Sequence, residues 1–211
     1  MKSLRFLFIV CFFPIYGFTQ DTTDIYLDEY GLRISKEEYY DHPKNNEGYF
    51  YLEGISDNGK VYFIEKRVVN GRVSLEVVNE LRTHLQNLSQ SEINENNYMV
   101  VNYFPGPDAC NQSGNSIAYN SNLKSYQKRI NKLKYVSQFF VYKSNEGLDV
   151  IKEGLDWYKD ENNLWQTHFF KHHYPCSSFV ILKPDGHFFL IKGEHNTRQV
   201  FIGLNELEKI N

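Results

Sequence analysis

The segment Tyr98–Phe104 (YMVVNYF) constrains the fold of this chain more than any other stretch. Apart from Asn102, its residues are apolar or aromatic, which is typical of a strand that is buried on both faces. Such a strand lies inside a sheet that other layers cover on both sides. The sequence therefore predicts a central sheet flanked by helices.

Strand and helix patterns alternate from this strand to the end of the chain. Apolar residues at helical spacing predict a helix whose buried face is formed by Leu123, Tyr126, Ile130 and Leu133. The next predicted elements are a strand at 136–142, a short helix at 162–170, a hairpin with strands at 177–182 and 187–191, and a closing helix at 205–210. The predicted order is β-α-β-α-β-β-α.

The preceding residues predict a smaller α+β region. Ser35 and Ser74 each stand before a helical pattern, where a serine side chain caps the first turn. Between them, the turn 57–59 (DNG) joins two strand patterns, at 49–55 and 61–69, because an Asn-Gly pair tolerates the positive φ of a hairpin turn. The fold class predicted for the whole chain is α+β.

The polar, turn-rich stretch 90–97 (QSEINENN) is the predicted domain boundary. It separates an N-terminal α+β extension, 20–97, from a C-terminal α/β domain, 98–211. Aromatic residues make up 16% of the chain and favour sheet in both parts. The net charge of −3 gives no basic field of the kind that nucleic-acid binding needs, so nucleic acid is not an expected partner.

Residues 1–19 have the pattern of a secretory signal peptide. Lys2 and Arg5 precede the apolar run 6–16, and a small-x-small site ends at Thr19. A membrane anchor is the alternative, but the run is shorter than the roughly 20 residues of a membrane-spanning helix. The expected product is an exported protein, periplasmic or secreted, without a stable membrane span after cleavage.

Export changes the interpretation of the cysteines. Cys11 leaves with the signal peptide, so the mature chain keeps Cys110 and Cys176. Two thiols in an oxidising compartment are candidates for a disulfide.

Two stretches of the C-terminal domain resemble exported thioredoxin-like reductases and redoxins. Residues 100–104 (VVNYF) are similar to the strand that precedes their active-site loop. Residues 160–186 are similar to the passage that carries their cis-proline and the Asp-Gly turn between the last two strands. The resemblance covers about residues 98–209 and implies a thioredoxin-like fold with a central mixed sheet flanked by helices.

The resemblance implies a position for each cysteine. Pro175 is the cis-proline candidate, and its loop packs against the loop after the first strand in that fold, so Cys110 and Cys176 are expected to be neighbours. The chain lacks the family's C-x-x-C motif, and Cys110 matches either of its cysteines, depending on the alignment of the loop. A static disulfide, a redox-active pair with Cys110 activated by a helix N-terminus, and two unpaired thiols all remain open.

Asp108 and three histidines complete the candidate residues. Asp108 is interpreted as the N-cap or first-turn acid of the helix that follows, rather than as a general base. His168 and His172 would share a face of a helix that runs to residue 172, with His173 and Cys176 close by, and imidazole and thiolate ligands suit zinc or copper. Paired histidines at a helix end are usually not a metal site, so no metal or other cofactor is expected.

The resulting functional hypothesis is an exported thioredoxin-like protein that acts as a binding or structural module with a Cys110–Cys176 disulfide. Its expected partners are other exported proteins. The first alternative is a thiol-disulfide oxidoreductase that uses Cys110 and Cys176 as catalytic residues. The second alternative is a copper or zinc binding protein.

Overall fold

A computed structural model describes residues 24–42, 48–57, 59–111, 116–147 and 154–210. The described part has two mixed sheets flanked by helices, which confirms the predicted α+β class. The predicted signal peptide, 1–19, lies outside the described residues. Within them, no helix has the length and apolar character needed to cross a membrane.

The first sheet has four strands in the order β2-β1-β4-β3. Strand β1 pairs antiparallel with β2 and parallel with β4, and β3 and β4 form the predicted antiparallel hairpin. The strands are β1 Ile25–Leu27, β2 Arg33–Ile34, β3 Tyr49–Ser56 and β4 Gly59–Lys66.

Helix α1, Lys36–Asp41, covers one face of the first sheet. It begins at a capping box, in which the Ser35 side chain accepts from the Glu38 amide and the Glu38 side chain accepts from the Ser35 amide. Tyr39 is the buried residue of α1 and packs against Tyr26 and Ile64. The predicted Ser35 cap is confirmed, and the sheet has a small, tyrosine-rich core.

The second sheet has six strands in the order β5-β10-β9-β6-β7-β8. The central β6 is parallel to β7 and antiparallel to β9, and β10 pairs antiparallel with both β9 and β5. Strand β8 is parallel to β7 at the far edge. The strands are β5 Val68–Arg72, β6 Tyr98–Phe104, β7 Val136–Tyr142, β8 Trp157–Lys159, β9 Ser178–Leu182 and β10 His187–Ile191.

Helices cover both faces of the second sheet, as the composition of β6 predicted. Met99, Val101 and Tyr103 belong to a core that includes residues of α2 and α4, whereas Val100 belongs to a core on the opposite face with α3 and α5. Successive residues of a strand point to opposite faces, so one strand supplies both cores. The helices are α2 Leu75–Ser89, α3 Ser116–Ile130, α4 Leu164–His168 and α5 Thr197–Glu208.

The structure differs from the prediction most at the start of the second sheet. The strand predicted at 61–69 is divided at Arg67, and its last residues enter β5 of the second sheet. Helix α2, with the predicted Ser74 cap, contributes buried leucines to the core against β6. The second sheet and its core therefore include elements from both sides of the boundary predicted at 90–97.

Candidate functional site

A disulfide joins Cys110 and Cys176, whose Cα atoms are 5.1 Å apart. Cys110 lies in the loop after β6, and Cys176 lies in the loop before β9. The two loops meet because β6 and β9 are antiparallel neighbours, with Tyr103 opposite Ser178 at this end of the sheet. The structure thus brings together the two cysteines that the resemblance implied to be neighbours.

The carboxylate of Asp108 holds both cysteine loops by hydrogen bonds. Its Oδ1 accepts from the backbone amides of Cys110 at 2.8 Å and Asn111 at 2.9 Å. Its Oδ2 accepts from the amide of Cys176 at 2.8 Å and lies 3.2 Å from His173 Nε2. One side chain therefore links the backbones on either side of the disulfide.

Asn111 makes a second link between the same loops. Its Nδ2 donates to the carbonyl oxygens of Gly106 at 2.8 Å and Cys176 at 3.1 Å. Its Oδ1 accepts from the Asp108 amide at 2.9 Å. Asn111 was not predicted as a site residue, because an asparagine in a polar loop has no distinguishing pattern before its partner loop is known.

The site carries a fixed negative charge. Partial burial acts to raise the pKa of Asp108, but the amides of Asn111, Cys176 and Cys110, together with the His173 ring, lower it below its ordinary value. A second acid, Glu194, is also close to the disulfide, because its carboxylate and the two Sγ atoms all lie within 4.8 Å of one another. The cysteine pair therefore has one carboxylate near its sulfurs and another bonded to its backbone amides.

Two predictions about the Cys110 loop are wrong. Helix α3 begins only at Ser116, so Asp108 is not its N-cap, and Cys110 does not stand in its first turn. Asp108 caps a tight turn instead, because its side chain accepts from the two amides that follow Ala109. The helix N-terminus that was expected to activate Cys110 does not reach this residue.

The predicted cis bond at Pro175 is also wrong, because the peptide bond between Tyr174 and Pro175 is trans. The chain reverses one residue later, at Cys176, which has a φ of 66°. That backbone conformation is uncommon outside glycine, asparagine and aspartate. It is held by the disulfide and by the Asp108 and Asn111 hydrogen bonds to the Cys176 backbone.

The predicted histidine face does not form. Helix α4 ends at His168, because Phe169 leaves helical geometry and both Phe169 and Phe170 are buried in the core of the second sheet. The side chains then diverge to three different acids. His168 Nε2 lies 3.6 Å from Glu80, His172 Nε2 lies 3.3 Å from Glu65, and His173 faces Asp108.

Glu65 of β4 organises a second cluster that the sequence did not reveal. Its Oε2 accepts from the hydroxyl of Tyr174 and, at 2.7 Å, from Nζ of Lys192. Its Oε1 lies 3.3 Å from His172, and burial lowers the pKa of that histidine. This cluster attaches the first sheet to the segment that leads to Cys176.

A pocket of about 470 Å³ lies beside the cysteine loops, between α3 and α5. Ser177, the residue after Cys176, lines it, and its carbonyl oxygen lies 3.3 Å from His195 Nδ1. Asn102 of β6 and Tyr126 of α3 are both buried and line the pocket, and the tyrosine hydroxyl donates to the asparagine Oδ1 at 3.1 Å. Arg129 also lines the pocket.

Comparisons with known proteins do not add to this geometry. No protein-family model matches the chain. No curated protein matches it either. The function is therefore argued from the site itself.

Proposed function

We propose that this chain is an exported thioredoxin-like binding module in which the Cys110–Cys176 disulfide locks two loops beside a pocket. In this proposal the disulfide is structural and does not cycle. A disulfide is also the state expected of paired thiols in an oxidising compartment, which agrees with export.

The strand order supports the thioredoxin-like part of the proposal. Strands β7, β6, β9 and β10 are consecutive neighbours, with β6 parallel to β7, β9 antiparallel to β6, and β10 antiparallel to β9. Helix α3 connects β6 to β7, and α5 follows β10. The sequence resemblance implies the same order of a β-α-β unit followed by a β-β-α unit.

The position of Asp108 is the single observation that carries the structural role of the disulfide. The nucleophile in thiol-disulfide exchange is a thiolate, and a nearby carboxylate disfavours it. The backbone amides of Cys110 and Cys176 also donate to Asp108, so they are not available to a thiolate. The negative charge of Asp108 and its hydrogen bonds thus oppose redox cycling and favour a stable bridge.

The pocket is the proposed binding surface. Ligand sites are concave, largely preformed surfaces with a few polar groups on an apolar wall. Here Ser177 and His195 supply polar groups to the lining, and Val200 and Leu123 supply apolar surface. Because Ser177 directly follows Cys176, the disulfide fixes one wall of the pocket.

An insulin reduction assay tests the proposal. The protein should not accelerate the reduction of insulin by dithiothreitol, and the Cys110→Ser variant should give the same rate as wild type. Thiol titration of the native protein should find no free thiol at Cys110 or Cys176, and a C-x-x-C thioredoxin serves as the positive control. Acceleration by wild type that Cys110→Ser abolishes would overturn the structural role.

The second candidate is a thiol-disulfide oxidoreductase that uses the same pair. It is favoured by one observation, since both cysteines are partly exposed rather than buried. The two candidates separate in Cys176→Ser as well, because an oxidoreductase would lose activity in this variant. A locked binding module would instead lose stability, with no activity to lose.

A further inference from the structure

We propose that the reduced form of this protein binds one Zn²⁺ ion through the thiolates of Cys110 and Cys176 and the carboxylate of Glu194. Among the residues that the structure describes, these three form the one group whose ligand atoms lie close enough together to hold a metal ion. The site goes beyond the proposed function, because it exists only when the bridge is open.

The geometry needs only local movement. Tetrahedral Zn²⁺ with Zn–S bonds of about 2.3 Å places its two sulfurs about 3.8 Å apart. The Cα atoms of the two cysteines are 5.1 Å apart, and the ligand atoms of all three residues lie within 4.8 Å of one another. Glu194 is exposed, so its side chain can turn toward the sulfurs, and solvent can supply the fourth ligand.

The charges around the cysteines favour a divalent cation. Two thiolates would stand beside the carboxylate of Glu194, and the Asp108 carboxylate accepts from the backbone amides of both cysteines. Like charges gathered in one place repel one another unless protons or a cation neutralise them. The same carboxylates that oppose a free thiolate therefore stabilise a thiolate that is bound to a metal.

The donor set selects among metals. Thiolates suit Cu(I) and Zn²⁺, whereas carboxylates suit harder ions such as Mg²⁺ and Ca²⁺. Zn²⁺ accepts both types of ligand in one tetrahedral site. The three histidines do not compete for this role, because His168, His172 and His173 face Glu80, Glu65 and Asp108.

The site opens by a balanced reaction with a phosphine reductant. The phosphine breaks the S–S bond and takes an oxygen atom from water, which gives a phosphine oxide and two thiols. Each thiol then releases its proton to the buffer as its sulfur binds Zn²⁺. Any dithiol that forms its own disulfide would open the bridge equally well.

The test is a Zn²⁺ titration of the chain without residues 1–19, which leaves Cys110 and Cys176 as its cysteines. The protein is treated with the phosphine under anaerobic conditions and then desalted. Thiol titration first verifies two free thiols in Cys110 and Cys176. Competition with a chromogenic chelator then measures zinc affinity, and Co²⁺ substitution reports sulfur ligation by its thiolate charge-transfer absorption. Protein produced in a reducing cytoplasm supplies the dithiol form if the bridge resists the phosphine.

The expected result is one Zn²⁺ per reduced chain and none at the oxidised site. Cys110→Ser and Cys176→Ser should abolish the charge-transfer band. Glu194→Gln should weaken zinc affinity by at least about 10-fold to 100-fold. Losses of that size are typical of residues that only hydrogen-bond to a metal ligand, and Glu194 is proposed as a ligand itself. The matched control, Glu92→Gln, changes an exposed acid elsewhere and should leave the affinity unchanged.

Two results would overturn the site. One is a reduced protein with both thiols free that binds Zn²⁺ no more tightly than micromolar. The other is tight binding that survives in the double cysteine variant. Neither result affects the structural role of the disulfide, which is tested separately by insulin reduction.

Discussion

Two carboxylates each connect separate parts of this molecule by hydrogen bonds and ion pairs, and we call these connections the Asp108 joint and the Glu65 joint. Both include contacts to the segment 172–176. At the first joint, Asp108 links the loop of Cys110 to the loop of Cys176, and a disulfide supports it. At the second joint, Glu65 links the first sheet to the same segment through Tyr174 and His172, and to Lys192, the residue after β10; these contacts are not covalent.

The two joints differ in the kind of donor that each carboxylate receives. Asp108 accepts mainly from backbone amides, which stay neutral at any pH and are fixed by the local turn. Glu65 accepts from side chains, of which Lys192 is charged and His172 is ionisable. The Asp108 joint should therefore respond to pH only where Asp108 itself becomes protonated, whereas the Glu65 joint should also respond to the ionisation of His172. The disulfide makes the Asp108 joint the one that reduction changes.

Neighbouring residues of the shared segment serve different joints. His172 and Tyr174 point to Glu65, whereas His173 and Cys176 contact Asp108 and its loop. A change at one joint can therefore reach the other through only a few residues. The experiments below separate them, beginning with the largest expected effect.

Removing the disulfide should have the largest effect on stability. The chain-entropy relation predicts a loss of roughly 4 kcal/mol in the free energy of unfolding, because the bridge closes a loop with a sequence separation of 66. Urea unfolding of wild type and the Cys110→Ser, Cys176→Ser double variant measures it. A loss below about 1 kcal/mol would mean that the Asp108 and Asn111 hydrogen bonds hold the loops without the bridge.

Replacing Glu65 should have the next largest effect. In Glu65→Gln the partly buried Lys192 and the buried Tyr174 lose a charged partner, and we expect the free energy of unfolding to fall by about 2 kcal/mol. Urea unfolding gives the difference. The matched control is Glu53→Gln, which breaks the exposed pair with Lys60 and should cost clearly less than Glu65→Gln.

Equal losses in these two variants would contradict the view of Glu65 as the joint between the sheets. The stability loss in Glu65→Gln should also shrink less in high salt than the loss in Glu53→Gln. The reason is that Glu65 and Lys192 are largely shielded from solvent, with side-chain exposures of 18% and 14%.

Asp108→Asn should lower the free energy of unfolding by about 1 to 2 kcal/mol. The reason is that one oxygen that accepts from the Cys176 amide is lost while the disulfide remains. The pKa of Asp108 is lowered in the folded protein, so its contribution is present at neutral pH and is lost as pH falls below about 4. The gap between wild type and variant should therefore close in acid. A gap that is constant from neutral pH to pH 3 would contradict this.

The sequence predicted the strongly apolar elements well. Strands β6, β7 and β10 begin and end at the predicted residues, because continuous apolar runs flanked by turn residues define buried strands. The start of α5 was predicted eight residues late, although the Asn196 cap and Gln199 were visible as a capping box. Strand β8, and the break at Arg67 between β4 and β5, form because the backbone pairs with particular neighbouring strands. The local sequence pattern does not show which strands will be those neighbours.

The candidate site was predictable only in part, for the same reason. The proximity of Cys110 and Cys176 followed from a resemblance, whereas the roles of Asn111, Glu194 and Glu65 appear only when distant segments meet. The histidine prediction used a helical spacing that holds only while the helix continues. Burial of Phe169 and Phe170 against the sheet outweighed that local pattern.

The smallest predicted effect is the pH response of the Glu65 joint. Burial lowers the pKa of His172, so its neutral form stabilises the fold above its ordinary pKa of about 6.5, and this contribution is lost as pH falls further. Between pH 7 and pH 5, urea unfolding should therefore show a smaller loss of stability in His172→Gln than in wild type. Glu65 favours the charged imidazole, so the loss caused by His172 should be larger in a Glu65→Gln background. If both backgrounds show the same loss, the histidine does not sense Glu65, and the contrast between the two joints rests on their covalent difference alone.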